Sequence, residues 1–330
     1  MSNTATVLAF DFGASSGRAI RAVYDGQNLT YEEIHRFENV PIEKDGHLCW
    51  DVETLLKEIH TAIQKAGTFD SLGFDTWGVD FGLLDADGHL LANPVHYRDA
   101  RTNGKPEQAA ACMPAEELYA HTGNQIMAIN TLFQLLALQE QEPELLQKAE
   151  QILFMPDLFA ALLGAEPVCE RSIASTSQML DPRTGQWSRE VLTAYGLKEN
   201  HFAPLVASGT VTGTLTTGAK IIAVAGHDTQ CASAAMPCAE EDAEHTAFLS
   251  CGTWSLLGTE LDTPILTADS CQIGLSNELG ANGKINYLKN IIGLWLIQES
   301  RREYKRRGQA YSFAELEQQA LAAEPLRSFI

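Results

Sequence analysis

The chain opens on an apolar run, Val7-Leu8-Ala9-Phe10, that ends in a single acid, Asp11. Small residues follow from Gly13 to Gly17, and a second apolar run begins at Ala19. Apolar runs bounded by small turn residues predict strands, here over 5–12, 17–24 and 29–38, with Asp25-Gly26 at one turn. Asp51 then opens a helix with Glu53 in its first turn. Leu55, Leu56, Ile59 and Ile63 recur at helical spacing on one face. Ser71 to Asp75 is a short strand, and residues 81–84 and 90–91 flank the hairpin signal Asp87-Gly88. Three strands, a helix and a further strand predict an α/β layered domain.

Residues 105–163 are mainly helical by pattern. Leu132, Leu135, Leu136 and Leu138 supply an apolar face, and Pro143 restarts a helix. Residues 181–185 read as a loop. Ile221 to Ala225 is a buried-type strand running into Gly226-His227-Asp228-Thr229, with a helix over 230–236. The segment Ala239 to His245 is acidic and lacks bulky apolar residues, which places a domain boundary there and divides the chain into 1–240 and 246–330. Past it the opening pattern returns: a strand over 247–251, a Gly252-Thr253 turn and a returning strand over 254–258. The repetition predicts a duplicated architecture with two hairpins facing across a cleft. Asn290 to Arg307 reads as one helix. Asn290, Leu294, Gln298 and Arg302 form a stripe on it, with Asn290 and Gln298 roughly 12 Å apart. The basic run Arg301 to Arg307 is either a nucleic-acid patch or a solvated helix end closed by Gly308. The macrodipole favours the second.

Composition narrows the class. The chain has 330 residues, 45% hydrophobic and 20% charged, and chains beyond ~250 residues usually split into domains. A net charge of −20 repels nucleic acid and anionic membranes without excluding a local anion pocket. The seven cysteines are odd in number and form no C-x-x-C pair, so reduced and mostly packed thiols are expected, with no metal site built from them. The start lacks a signal-peptide pattern, and no apolar run approaches ~18 residues. A cytoplasmic protein acting on small molecules is expected, with oligomeric state open.

Two segments carry candidate chemistry. Small residues at 13–17 let backbone N–H groups approach a ligand, and Ser15 and Ser16 add hydroxyls, a donor nest that suits phosphate oxygens. Asp11 beside it can hold a hydrated Mg²⁺; the alternative is an ordinary hairpin whose Asp caps a turn. The segment is neither a P-loop nor a dinucleotide fingerprint. Asp228 follows a strand, at the sheet edge where ligands gather. There it is a candidate base for phosphoryl transfer to a hydroxyl, or it caps the following helix. His227 is either a partner for a substrate hydroxyl or a structural residue. Asp75-Thr76-Trp77-Gly78-Val79-Asp80-Phe81 combines acid, aromatic and glycine in a way that suits sugar recognition, against a core Trp with a bulge Gly. Tyr97-Arg98-Asp99 with Arg101 reads as an internal ion pair.

Taken in order, FDFGASSGR, DTWGVDF, YRDARTNG, the MPD…LLG run at 155–164, GHDT, LSCGTWSLLG and LKNIIGLWLIQE resemble the FGGY carbohydrate kinases of the actin/hexokinase-like ATPase superfamily. The resemblance implies an α/β fold of the actin-like ATPase (ribonuclease H-like) type, with two domains, the second truncated. It implies transfer of the ATP γ-phosphate to the 1-hydroxyl of a ketose with Mg²⁺. WGVDF, YRDARTNG and LKNIIGLWL point to the branch that takes L-rhamnulose. Carried over by motif, Ala14, Ser15, Ser16, Gly17 and Arg18 would bind nucleotide phosphates and Gly78 the ketose. His227, Asp228 and Thr229 would also bind the ketose, with Asp228 as base. Thr253 and Gln298 would contact nucleotide, and Asn290 substrate. Leu279 in Asn277-Glu278-Leu279-Gly280 departs from a glycine common in the family. The end, Leu326 to Ile330, is an apolar run entering what should be another strand. Relative to the family about 150 residues are lacking, including the Gly-rich adenosine segment, so impaired turnover is expected. The rivals are another FGGY kinase, acting on fuculose, xylulose or glycerol, and a catalytically silent sugar-binding fragment.

Overall fold

The computed structural model describes residues 4–239, 242, 245–325 and 327. Most of the expected boundary segment Ala239 to His245, and all of the terminal run Leu326 to Ile330 except Arg327, lie outside the described residues. The first half is built on a six-stranded sheet. Its spatial order is Thr210–Thr214, Lys220–Ala223, Ser71–Thr76, Ala5–Phe12, Ser16–Tyr24 and Leu29–Glu38. Ala5–Phe12, Ser71–Thr76 and Lys220–Ala223 run parallel, and the remaining pairs are antiparallel. The register sets Asp11 opposite Asp75, and Thr76 bridges to His227. Acids that end neighbouring parallel strands therefore arrive at one sheet edge.

Side-chain packing fixes that edge. Phe10 stacks on Phe74 with ring centroids 4.8 Å apart, and Phe12 on Phe159 at 4.9 Å. Phe159 comes from the helix Met155–Leu162. The helix Val52–Ala66 forms where the spacing predicts it. Asp51 accepts from Thr54 N, Val52, Leu55, Ile59 and Ala62 make the buried stripe, and Gly67 ends it at φ 66°. Each large side chain so buried stabilises by about 1.5–3 kcal/mol.

The region 105–163 is not wholly helical. Gln151–Phe154 is a strand paired antiparallel with Phe81–Leu84, and the expected hairpin partner at 90–91 contributes only a bridge from Leu90 to Leu84. A short apolar run fits a buried strand as well as a helix turn, and pairing with Phe81–Leu84 decides between them. The cysteines are all free, but Cys112, Cys238 and Cys251 are exposed rather than packed.

The second half is a four-stranded antiparallel sheet, ordered Phe248–Cys251, Trp254–Leu261, Ile285–Ile292 and Ser276–Leu279. It corrects the single helix expected over 290–307. Asn290 sits on the strand Ile285–Ile292, opposite Leu256, and the helix begins only at Trp295. Gly293 makes the join: a Cβ there would stand 2.8 Å from Gly252 O. The basic run is a solvated helix end. Arg302 pairs with Glu299, while Arg306 and Arg307 pair with Glu303, and Gly308 closes it at φ 81°.

Candidate active site

A cleft of ≈ 280 Å³ lies where the two halves meet. Gly13, Ala14 and Ser15 of the first hairpin line it, facing Gly252 and Thr253 of the second. Each hairpin is closed tightly, Gly13 N donating to Ser16 O at 2.9 Å and Gly252 N to Trp254 O at 2.8 Å. Gly78, His227, Asp228, Thr229 and Asn290 line the same cleft. Eight of the thirteen residues given site roles from sequence, Gly13 and Gly252 not counted, thus line one cavity. The others stand just behind it. Gly17 is buried under Phe37, whose Cζ would lie 2.3 Å from an added Cβ, so its small size serves packing. Gln298 reaches the second hairpin through Nε2 to Thr253 Oγ1 at 3.2 Å. Arg18 Nε donates to Asp11 Oδ2 at 2.7 Å, tying a predicted phosphate ligand to the predicted metal ligand. Ser16 begins the returning strand.

Charge is concentrated at the strand ends. Burial, then the neighbouring Asp11 and Asp228 carboxylates, raise Asp75 well above the usual carboxylate range. Such mutual repulsion among acids suits a divalent cation, and Asp11 would hold it. Burial also raises Asp228, while the His227 cation opposes the rise and Thr229 N binds Asp228 Oδ1 at 2.6 Å. A carboxylate of raised basicity at neutral pH is a better proton acceptor.

His227 owes its charge to the other half of the molecule. Burial disfavours the imidazolium, but Glu278 overcomes that and pushes His227 up to about 9. His227 Nδ1 donates to Glu278 Oε2 at 3.0 Å, and Gln230 Nε2 donates to the same oxygen at 2.8 Å. The opposite ring nitrogen, Nε2, lies 3.4 Å from Asp228 Oδ1. Glu278, 4% exposed on the strand Ser276–Leu279, therefore completes the chain Glu278–His227–Asp228 across the two halves. Sequence reasoning gave Glu278 no role, and it read Asp75 only as the acid of a sugar-recognition segment, not as a neighbour of Asp11 and Asp228. For Asp75 the available signal was the one that found Asp11, an acid near the end of a mostly apolar strand; the polar strand Ser276–Leu279 offers no such signal for Glu278.

Two further groups brace the cleft. Asp80 is fully buried and accepts from Trp50 Nε1 (2.6 Å), Trp77 Nε1 (3.0 Å), Gln134 Nε2 (2.8 Å) and Tyr97 N (3.2 Å). Burial raises it to about 6 against those donors. Trp77 and Tyr97, which line the cleft, are thereby fixed from below. Glu170, 1% exposed, accepts from Gly226 N at 3.0 Å and caps the helix Arg171–Ala174, locking the turn that carries His227 and Asp228. The expected ion pair at Tyr97-Arg98-Asp99 is replaced by other contacts. Arg98 stacks over Tyr97, Trp254 and Trp295 at 5.2, 5.5 and 5.0 Å. Asp99 accepts from Leu48 N at 2.8 Å, and Arg101 Nη2 donates to Gln134 Oε1 at 2.9 Å.

Comparison with known proteins gives the family. The N-terminal domain model of the FGGY family of carbohydrate kinases matches residues 6–234, and its C-terminal domain model matches 247–330. A protein named rhamnulokinase from Bacteroides thetaiotaomicron is 41% identical over 98% of this chain and 68% of its own length. Its namesake from Enterococcus faecalis is 39% identical over 98% and 67%. Among solved structures, a ligand-bound xylulose kinase from Lactobacillus acidophilus superposes with TM-score 0.73 at 16% identity, covering 90% of this chain and 62% of that one. Plasmodium falciparum glycerol kinase with ADP gives 0.70 at 16%, covering 89% and 63%. The chain spans about two thirds of the length of these curated relatives, and somewhat less of the solved kinases.

Proposed function

The chain belongs to the FGGY family of carbohydrate kinases, and from that membership we propose that its cleft transfers the γ-phosphate of ATP to the 1-hydroxyl of L-rhamnulose. The observation that supports the reading is that Asp228 lines one cleft with both hairpins and with Gly78, Thr229 and Asn290. The relatives named rhamnulokinase, at about 40% identity over nearly the whole chain, favour L-rhamnulose over other ketoses.

In this reading Ala14 and Ser15 cradle phosphate oxygens from one side and Thr253, backed by Gln298, from the other. Ser16, Gly17 and Arg18 shape the first hairpin from behind. Asp11 would hold Mg²⁺, which supplies charge neutralisation to the phosphates. The ketose lies against Gly78, His227, Thr229 and Asn290. Asp228 takes the proton of the 1-hydroxyl as its oxygen bonds to the γ-phosphorus. The bond from that phosphorus to the β,γ-bridging oxygen breaks, and ADP leaves with the electron pair. His227, held as a cation by Glu278, keeps Asp228 ionised in a site that burial would otherwise neutralise. Residues 1–240 act as the N-terminal domain, with the sugar site and the first hairpin, and residues 246–330 belong to the C-terminal domain.

Small-molecule partners suit the acidic surface. Seven free thiols favour a reducing compartment, and the cytoplasm is the proposed location. Among the described residues no helix is long and apolar enough to cross a membrane.

The test is an acceptor panel. With ATP and Mg²⁺, ADP release should depend on sugar and run faster with L-rhamnulose than with L-fuculose, D-xylulose or glycerol. Faster turnover of any of those three overturns the substrate, and ADP release indifferent to sugar overturns the reaction.

A further inference from the structure

We propose that Val79, Met127 and Ile129 form an apolar subsite that takes the C6 methyl of the acceptor and selects 6-deoxy sugars over their 6-hydroxy counterparts, an inference that rests on the acceptor reading above. The first observation is Val79 itself, which lines the cleft at φ 66°. A β-branched residue is strained there, whereas glycine would take the same backbone freely. Buried hydrogen bonds hold the strain in place. Val79 N donates to Thr176 Oγ1 at 3.1 Å, and Thr131 Oγ1 donates to Val79 O at 2.7 Å. Such conformations persist where the surroundings over-determine them, and they gather at ligand sites. What valine adds over glycine is an isopropyl group in the wall of the cleft.

Two more apolar side chains meet it. Met127 and Ile129, both half-buried, line the same cleft. Gln134 Nε2 ties their loop to Val79, donating to Ile129 O at 2.9 Å and reaching Val79 O at 3.4 Å. The polar neighbours in this part of the wall have spent their donors on the protein. Asn124 Nδ2 donates to Ser175 O, Asn130 Nδ2 to Gln125 O and Gln178 Oε1, and Thr176 Oγ1 to Ile173 O.

The order of residues along the wall decides which end of the sugar arrives here. Asp228, the base for the 1-hydroxyl, has His227 Nε2 3.4 Å away, and a Cβ on Gly78 would stand 3.4 Å from that same nitrogen. Val79 is the next residue, one Cα step of about 3.8 Å further on. A hexulose whose 1-hydroxyl meets Asp228 and whose body crosses Gly78 presents its far carbon, C6, to Val79. In L-rhamnulose C6 is a methyl group; in L-fructose, otherwise the same sugar, it carries a hydroxyl. An apolar subsite gains from burying the methyl and leaves the hydroxyl without a partner.

The test is calorimetric titration of L-rhamnulose and L-fructose into the parent, Val79→Thr and Met127→Gln. Threonine keeps the branching of valine and adds one hydroxyl; glutamine keeps the length of methionine. The parent should bind L-rhamnulose at least about tenfold more tightly than L-fructose. Each variant should bring the two affinities within about threefold, through loss on L-rhamnulose while L-fructose binding is kept. Retained L-fructose binding shows that the variant is folded, and a side chain that only supports the fold would lower both affinities together. Equal affinities in the parent, or an unchanged ratio in either variant, overturns the subsite. A parent that prefers D-xylulose or glycerol to both hexuloses would instead overturn the acceptor reading on which it rests.

Discussion

Replacing Glu278 by Gln removes one buried charge while leaving an oxygen that can still accept from His227. His227 stands at about 9 against an ordinary 6.5. At about 1.4 kcal/mol per pH unit, that gap corresponds to ~3 kcal/mol of preference for the charged ring. The side chain is 11% exposed, so solvent screening takes little of this away. A histidine raised on folding contributes stability that is fully present below 6.5 and lost as pH rises through about 9. In the Gln variant, burial acts on His227 with only Asp228 and Asp75 opposing it, so the ring falls well below its parent value. Urea unfolding should therefore show Glu278→Gln less stable than the parent by about 1–3 kcal/mol near neutral pH. The difference should close toward about pH 10, where the parent has lost the same proton. Groups remote from His227 are common to both proteins and cancel in the difference, while Asp228 and Asp75 lose the opposing cation in the variant and add to it. Parallel stability curves across that range would refute the cross-half charge pair.

Asp75 carries the opposite sign. Its raised carboxyl binds a proton more readily folded than unfolded, so its ionisation costs stability as pH rises above 3.8. Asp75→Asn should raise the melting temperature at neutral pH by about 2–4 °C, while calorimetry shows weaker binding of Mg²⁺-ATP. A lowered melting temperature would count against the repulsion. Gly78→Val should weaken ketose binding through about 1–3 kcal/mol of overpacking, because a Cβ at Gly78 already fills the space to contact with His227 Nε2 and Thr176 Oγ1 at 3.4 Å, leaving the γ-methyls to enter the cleft that Gly78 lines. Nucleotide affinity should stay within experimental error, and equal loss of both ligands would place Gly78 elsewhere in the site.

The site was legible in sequence where chemistry interrupts pattern. Asp11 stands out as an acid near the end of an apolar strand, and Asp228 as an acid in the Gly-His-Asp-Thr run that follows one. The two hairpins were visible because small residues must separate their strands. Glu278 was not found, because its strand, SNEL, is mostly polar and sets no acid apart. Its meaning depends on meeting His227 from the other half, 51 residues away in the chain. Asn290 was placed on a helix because Asn290, Leu294, Gln298 and Arg302 satisfy an i, i+4 stripe. Cross-strand pairing with Trp254–Leu261 overrides that local period. The strand Gln151–Phe154 was lost in the same way. Arg98 was assigned to a carboxylate because charge is visible in sequence and proximity to three aromatic rings is not.

Transfer of a radiolabelled γ-phosphate from ATP to L-rhamnulose, measured for the parent and for Asp228→Asn at equal sugar occupancy, tests the central claim most directly. Asp228 lines the cleft with both hairpins, and the variant keeps its shape while losing the proton acceptor. The predicted result is unchanged ketose affinity with label transfer lowered by about 10²–10⁴, the usual contribution of a positioned base. Transfer by Asp228→Asn at the parent rate would contradict the account.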